Sequence, residues 1–229
     1  MNLYAWEAAM TSAASAATTS RRIHWPGVAG IVSGVLMLVS LLVTYNISPE
    51  YDGKDGLRKT VAFYRDGGNL DLTEAMTLLM LAAALLFLWF LAGLVRLAGG
   101  RSALVLLGGS VFTAMLLVGT IAGAIYGISA NNTDAFVVGP ETAMVALLLF
   151  DVSYGGYIAA MLGAAVLLFA VWRASVTTGA LPVWLGWSAF VIAVLSLAGP
   201  FSAWLTVLLM AVWVVLAGVV MVVRPAAEE

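Results

Sequence analysis

Long apolar runs separated by short polar breaks dominate this chain, and their lengths predict helices that cross a bilayer. The first run goes from about Val28 to Tyr45, the second from about Leu72 to Leu97, and the third follows Arg101 and reaches about Ile128. A fourth ends at Arg173 and includes Tyr154 to Trp172, the fifth covers about Val183 to Gly199, and the sixth about Ala203 to Val223. Each is long enough, or nearly so, to cross a hydrocarbon core of ~30 Å as a helix, the open-chain structure that satisfies its own backbone in lipid. The predicted fold class is an all-α membrane protein, a six-transmembrane-helix bundle. Residues 25–224 would form that domain, between a flexible cytoplasmic tail at 1–24 and a short cytoplasmic tail at 225–229.

Two segments do not fit a plain up-and-down pattern. From Glu141 to Arg173 the chain is too long for one upright span. Either the fourth helix tilts strongly or protrudes, or Thr142 to Phe150 is a separate interfacial or re-entrant piece with a break near Gly155-Gly156. The other is Asn46 to Asp71, the one sizeable hydrophilic segment between spans. Within it, Asp55 to Asp66 places Leu57, Val61 and Tyr64 on one helical face, and Gly67-Gly68 stops it. This predicts a short amphipathic helix in the first outer loop. An interfacial helix lying on lipid headgroups is the preferred reading, over a lid packed on the outer mouth of the bundle.

Composition sharpens this picture. A chain that is 63% hydrophobic and 10% charged cannot cover itself with a solvated surface. With the N-terminus inside, Arg21, Arg22, Arg96, Arg101, Arg173 and Arg224 fall on the cytoplasmic side, and Lys54, Arg58, Lys59 and Arg65 share one outer loop. Trp25, Trp172, Trp184 and Trp187 then form an inner interfacial belt and Trp204 an outer one. The expected location is the cell membrane, multi-pass, with both termini cytoplasmic. Met1 to Ser20 lacks the apolar core of a cleaved signal peptide, and Ser20-Arg21-Arg22 reads as a basic membrane edge rather than a twin-arginine signal.

Several function classes drop out. A net charge of -2, with Lys+Arg 10 spread over several loops, supplies no basic stripe for nucleic acid. With no cysteine there is no disulfide, thiolate catalysis or iron–sulfur centre, and His24 as the single histidine excludes bis-histidine haem. No lysine lies inside a span to form a retinal Schiff base, and no glycine-rich phosphate loop appears. No cofactor or metal is expected. Acid–base catalysis needs convergent titratable groups that the spans do not offer, so the chain is read as non-enzymatic.

One carboxylate, Asp151, is embedded among apolar residues, and Tyr154 and Tyr157 follow it at helical spacing. A carboxylate facing lipid at mid-depth costs ~2.5–3.5 kcal/mol or more. Asp151 is therefore expected to face the bundle interior, with Tyr154, Tyr157 and Tyr126 lining a small outer-leaflet cavity that binds a ligand. The alternative is that the tyrosines are interfacial belt residues and Asp151 merely caps or wets the helix start. Gly119, Gly123 and Gly127 recur every fourth residue, and Gly155, Ala159 and Gly163 repeat the device, predicting close packing of the third and fourth spans through Gly119, Gly123, Gly127 and Gly155. A homodimer seam is the other use of such a pattern. Leu3, Trp6 and Met10 share one face of a short N-terminal helix, an anchor for a cytoplasmic partner or a weakly surface-seeking tail.

Val61 to Asp66 in the outer loop, Leu86 to Leu94 in the second span, Leu149 to Tyr154 in the fourth and Gly179 to Trp187 before the fifth resemble a group of actinobacterial six-helix integral membrane proteins of unknown function. The resemblance covers roughly Trp25 to Val223 and implies a fold and a location, with no activity to transfer. The function expected is binding of a hydrophobic small molecule, a lipid or a membrane partner, as an accessory or sensing subunit. The runner-up is a small transporter or channel with an outward-facing polar pathway at Asp151. Expected partners are membrane lipid and a membrane-protein partner or second copy, and no nucleic acid.

Overall fold

The computed structural model describes residues 25–48, 55–134 and 136–223. The expected tails, with the Leu3, Trp6 and Met10 face, Arg21, Arg22, His24 and Arg224, lie outside the described residues, as does Lys54. Among the described residues the secondary structure is helical throughout, with no strand. The helices are α1 (Trp25–Ile47), α2 (Gly56–Arg65), α3 (Gly67–Ala98), α4 (Ser102–Asn132), α5 (Pro140–Thr178), α6 (Val183–Ser196) and α7 (Ala203–Val223). Short 3₁₀ turns at Gly99–Arg101 and Gly199–Phe201 join α3 to α4 and α6 to α7.

Six of these helices close into a ring in which α1 packs on α3, α3 on α4, α4 on α5, α5 on α6, and α7 returns to α1, touching α6 more lightly. The all-α membrane bundle expected from the apolar runs is what forms. Trp25–Ile47, Gly67–Asn132, Pro140–Thr178 and Ala203–Val223 are the stretches long and apolar enough to cross a membrane, the second of them holding both α3 and α4. The chain is thus an integral membrane protein. The fifth apolar run yields a helix of only 14 residues, about 21 Å long at 1.5 Å per residue and short of a ~30 Å core. Leu197, Ala198 and the Gly199 turn extend it, and Gly199 takes the left-handed conformation that reverses the chain.

The fourth run forms a single unbroken helix of 39 residues. The separate-piece alternative for Thr142 to Phe150 is thereby set aside. Pro140 at the first helical turn starts it, the Thr142 hydroxyl accepts from the Gly139 amide at 3.0 Å, and Gly179 in the left-handed region ends it. Gly155-Gly156 does not break the helix, because Gly156 is held against α4 and an interrupted backbone there would leave polar groups without partners.

The glycine seam between α4 and α5 is real, and its register corrects two expectations, at Gly155 and at Gly127, which faces Tyr64 of α2 and Leu70 and Thr73 of α3 instead of α5. A Cβ on Gly156 would lie 2.7 Å from the Gly119 Cα, and one on Gly163 would lie 2.6 Å from the Phe112 amide nitrogen. Gly108 packs equally tightly, 2.5 Å from the Leu167 nitrogen. Gly155, expected in the seam, points outward with nothing within 4 Å of an added Cβ. One residue is 100° around a helix, so the sequence motif built on Gly155 and Ala159 is displaced from the buried row Gly156, Ala160 and Gly163. Gly123 faces the movable Ser153 hydroxyl at 2.8 Å rather than backbone. Gly123→Leu should therefore lower stability in detergent by about 1–2 kcal/mol, and a melting curve identical to the parent's would place Gly123 outside the seam.

Candidate functional site

Two ends of the bundle differ in chemistry. Arg96, Arg101 and Arg173 gather at one, where the Arg101 guanidinium donates to the Thr177 hydroxyl at 3.1 Å. The other is capped by α2, and its helices carry most of the hydroxyl groups. We call them the arginine end and the lid end.

α2 forms because Gly56, Thr60, Val61 and Tyr64 fall on one face and can be buried together. It is a lid. The expectation that it lies on headgroups is corrected, since Tyr64 is only 1% exposed and its ring packs on Tyr126 at 4.6 Å. Gly127 makes room for it, because a Cβ there would sit 3.3 Å from the Tyr64 ring. Tyr126 in turn meets Phe136 edge-on at 4.9 Å and shares a 3.0 Å hydrogen bond with the Thr142 hydroxyl. Tyr64, Leu70, Tyr126 and Ala146 make a second core, separate from the main one, with Phe63, Phe136, Leu149 and Phe150 around it. The Arg65 guanidinium donates to the Val138 carbonyl at 3.2 Å and latches the end of α2 to the segment before α5. Burial, with Tyr126 beside it, pushes the Tyr64 hydroxyl well above the usual phenol range.

Beneath this lid lies a cavity of about 50 Å³ between α1, α3, α4 and α5, room for a few waters at roughly 10–15 Å³ each. Its polar lining is hydroxyl throughout: Ser40, Thr44, Ser48, Tyr64, Thr73, Thr77, Thr120 and Tyr157. Leu41, Ile47, Met76, Met80, Phe63 and Phe150 supply apolar walls, and no lining residue is charged. The hydroxyl protons are largely committed. Thr73, Thr77 and Thr120 donate to the carbonyls of Asn69, Thr73 and Leu116 at 2.7–2.8 Å, Ser48 donates to Thr44, and Ser40 reaches across to Met76 at 2.9 Å. Their oxygens keep lone pairs free, so the cavity offers more acceptors than donors.

The candidate residues separate. Tyr157 lines the cavity, its hydroxyl facing the side-chain oxygens of Thr120 and Ser153. Tyr126 lies above the cavity in the lid core, where it seats Tyr64. Tyr154 is 41% exposed, and its hydroxyl donates to the Pro200 carbonyl of the α6–α7 turn. Asp151 does not face the interior. It is exposed on the side of α5 that carries Met144, Leu148 and Val152, while Ala143, Ala146 and Ser153 form the buried side. The physical reason is depth: Tyr154, one turn further along, is already level with a chain reversal, so Asp151 stands where a carboxylate can be hydrated and needs no internal partner.

Sequence reasoning missed the serines and threonines of α1 and α3. Thr73 and Thr77 recur at helical spacing opposite Ser40 and Thr44, a pattern visible only once α1 and α3 are known to be neighbours. Toward the arginine end the cavity stops. Two turns further along α3 the fully buried rings of Phe87, Phe90, Phe112 and Trp213 stack at 5.1–6.5 Å and fill the middle of the bundle. A second, smaller cavity of about 10 Å³ at the arginine end is lined by Leu94, Leu97, Val171, Leu181 and their neighbours, and only Ser175 there is polar.

No family model, curated protein or solved structure matches the chain.

Proposed function

We propose that the protein is a non-enzymatic ligand-binding membrane protein, an accessory or sensing subunit, that holds a small uncharged amphiphile under α2. One observation carries this reading: an uncharged cavity whose lining combines hydroxyl acceptors with aliphatic and aromatic side chains, roofed by a separately packed helix. Such a lining suits a molecule that donates hydrogen bonds and has an apolar body. It does not suit an ion, whose desolvation no fixed charge would offset. The titratable groups that line the cavity are two phenols, Tyr64 and Tyr157, with no carboxylate, histidine or lysine beside them, which supports binding over catalysis.

The transporter alternative draws less support. Transport needs polar groups along the whole depth, and the aromatic layer at Phe87, Phe112 and Trp213 interrupts them. Asp151, the residue on which that alternative rested, lies outside the cavity lining.

Arg96, Arg101 and Arg173, with Arg21, Arg22 and Arg224 in the sequence flanking α1 and α7, outnumber Lys54, Arg58, Lys59 and Arg65 in and before α2, and by the positive-inside rule this bias supports a cytoplasmic arginine end. α1 begins and α7 ends at that end, where Gly27 approaches Gly218, which supports cytoplasmic termini and a lid that faces outward from the cell membrane. The chain has no native cysteine, so single substitutions test this directly. Asp134→Cys should react with an impermeant maleimide on intact cells and Thr177→Cys only after permeabilisation; the opposite pattern would invert the topology.

For the ligand, thermal-shift titrations in nanodiscs with short diols and primary amides should raise the melting temperature of the parent. Ala124 is buried and lines the cavity. Ala124→Leu should fill it and abolish the shift. The binding reading fails if no probe stabilises the parent, or if Ala124→Leu responds as the parent does.

A further inference from the structure

The α6–α7 turn fixes where the hydrocarbon ends at the lid side. A chain reversal cannot lie in lipid, because its backbone groups would have no partners. Phe201 in that turn is 91% exposed and Trp204 follows it, the aromatic pattern of a membrane boundary. The Tyr154 hydroxyl reaches the Pro200 carbonyl, so Tyr154 is level with this boundary. From Tyr154 to Trp172 α5 runs about 27 Å, which matches one bilayer core of ~30 Å. Pro140 to Ser153 then stands beyond it, about 21 Å of helix.

That projecting segment has two faces. Ala143, Ala146 and Phe150 turn inward beneath α2 and Tyr126. The opposite face carries Met144, Val145, Leu148 and Val152, each 47–63% exposed, with Glu141 at one end and Asp151 near the other. Neither carboxylate has a hydrogen bond or ion pair among the described residues. Neither solvent satisfies this face. In water the four apolar side chains stay uncovered, and a contiguous apolar patch outside the membrane marks an interaction site. In lipid, Asp151 would be desolvated with no cation to offset the loss.

We infer that this face of α5 docks a helix of a different protein, one with an apolar stripe flanked by Lys or Arg residues. Glu141 and Asp151 are ten residues apart, about 15 Å along the helix, so the partner's basic residues should have a similar spacing. Charge selects against a second copy of this chain. Two copies inserted in the same direction would pair their α5 helices in parallel, setting Asp151 against Asp151 and Glu141 against Glu141, and like charges in contact are disfavoured. At the membrane end of the face, Gly155 leaves open space for a close approach.

The test uses Leu148→Cys and a hydrophilic maleimide. In purified protein in nanodiscs the thiol should label rapidly; in open membrane sheets from the native host it should be protected at least tenfold. Adding Glu141→Lys and Asp151→Lys should abolish the protection, with the melting temperature of the purified protein unchanged. Slow labelling in nanodiscs would mean that lipid covers the face, and equal rapid labelling in both settings would mean that nothing does; either result overturns the inference. Protection that survives the double charge reversal overturns the charge-selected partner. A crosslinked product from Leu148 with twice the chain mass would identify a second copy and overturn it as well.

Discussion

Gly156→Leu should destabilise the bundle far more than Gly155→Leu, the same change at its neighbour on α5. An added Cβ at Gly156 would lie 2.7 Å and 2.8 Å from the Cα and nitrogen of Gly119, and backbone cannot rotate away as a side chain can. Helices α4 and α5, the most extensively packed pair in the bundle, would have to separate. Overpacking a core costs about 1–3 kcal/mol when side chains absorb it, so about 3 kcal/mol or more is expected where a helix must move. Gly155→Leu provides the contrast. Its Cβ meets nothing within 4 Å, and surface substitutions stay within about 0.5 kcal/mol, with leucine's better helix propensity in its favour. Thermal unfolding of the two variants in the same detergent should separate widely. Equal melting temperatures would show that α4 and α5 are not seamed through Gly119 and Gly156.

That pair of neighbouring glycines also marks the limit of what the chain discloses unaided. The apolar runs locate the helices, because period and length suffice for elements whose surroundings are lipid. They do not locate the seam, since both Gly155 and Gly156 stand in small-residue rows and only the partner helix decides which row is buried. Tyr157 is legible as a polar residue among apolar ones and does line the cavity. Asp151 is equally conspicuous, yet it faces outward, because its depth depends on where the α6–α7 turn sits. For α2 the amphipathic face was readable and the surface it meets was not. Lipid headgroups and the Tyr126 core both accept Val61 and Tyr64, and the choice turns on Gly127, which spares room for a ring. The hydroxyl lining is the least legible feature, being assembled from five helices, α1 to α5, whose adjacency no local pattern encodes.

The lid and the spanning helices therefore answer to different interactions, and this separation can be used. Tyr64→Ala should release α2 while leaving the bundle intact. The ring is fully buried against Tyr126 and Phe63 and seated over Gly127, and truncating such an aromatic costs about 3–5 kcal/mol. α2 has ten residues, too few to persist as an isolated helix, since those under about 12–15 residues are marginal in water. The Arg65 contact to Val138 is exposed and cannot make up the loss. A loss of about 3 kcal/mol multiplies the open population roughly a hundredfold. Thr77→Cys reports on it, because Thr77 lies on the cavity wall and is 7% exposed with the lid closed. In the Thr77→Cys protein a small methanethiosulfonate should react slowly, and in the Tyr64→Ala background about two orders of magnitude faster. Tyr64→Phe keeps the ring and should keep the slow rate. The melting temperature should change little in either background, because α2 packs on the lid-side ends of α3, α4 and α5 and contributes no residue to the main core of the bundle. If Tyr64→Ala leaves the reaction slow, α2 is not what closes the cavity; if Tyr64→Phe is as fast as Tyr64→Ala, the hydroxyl and not the packed ring holds the lid.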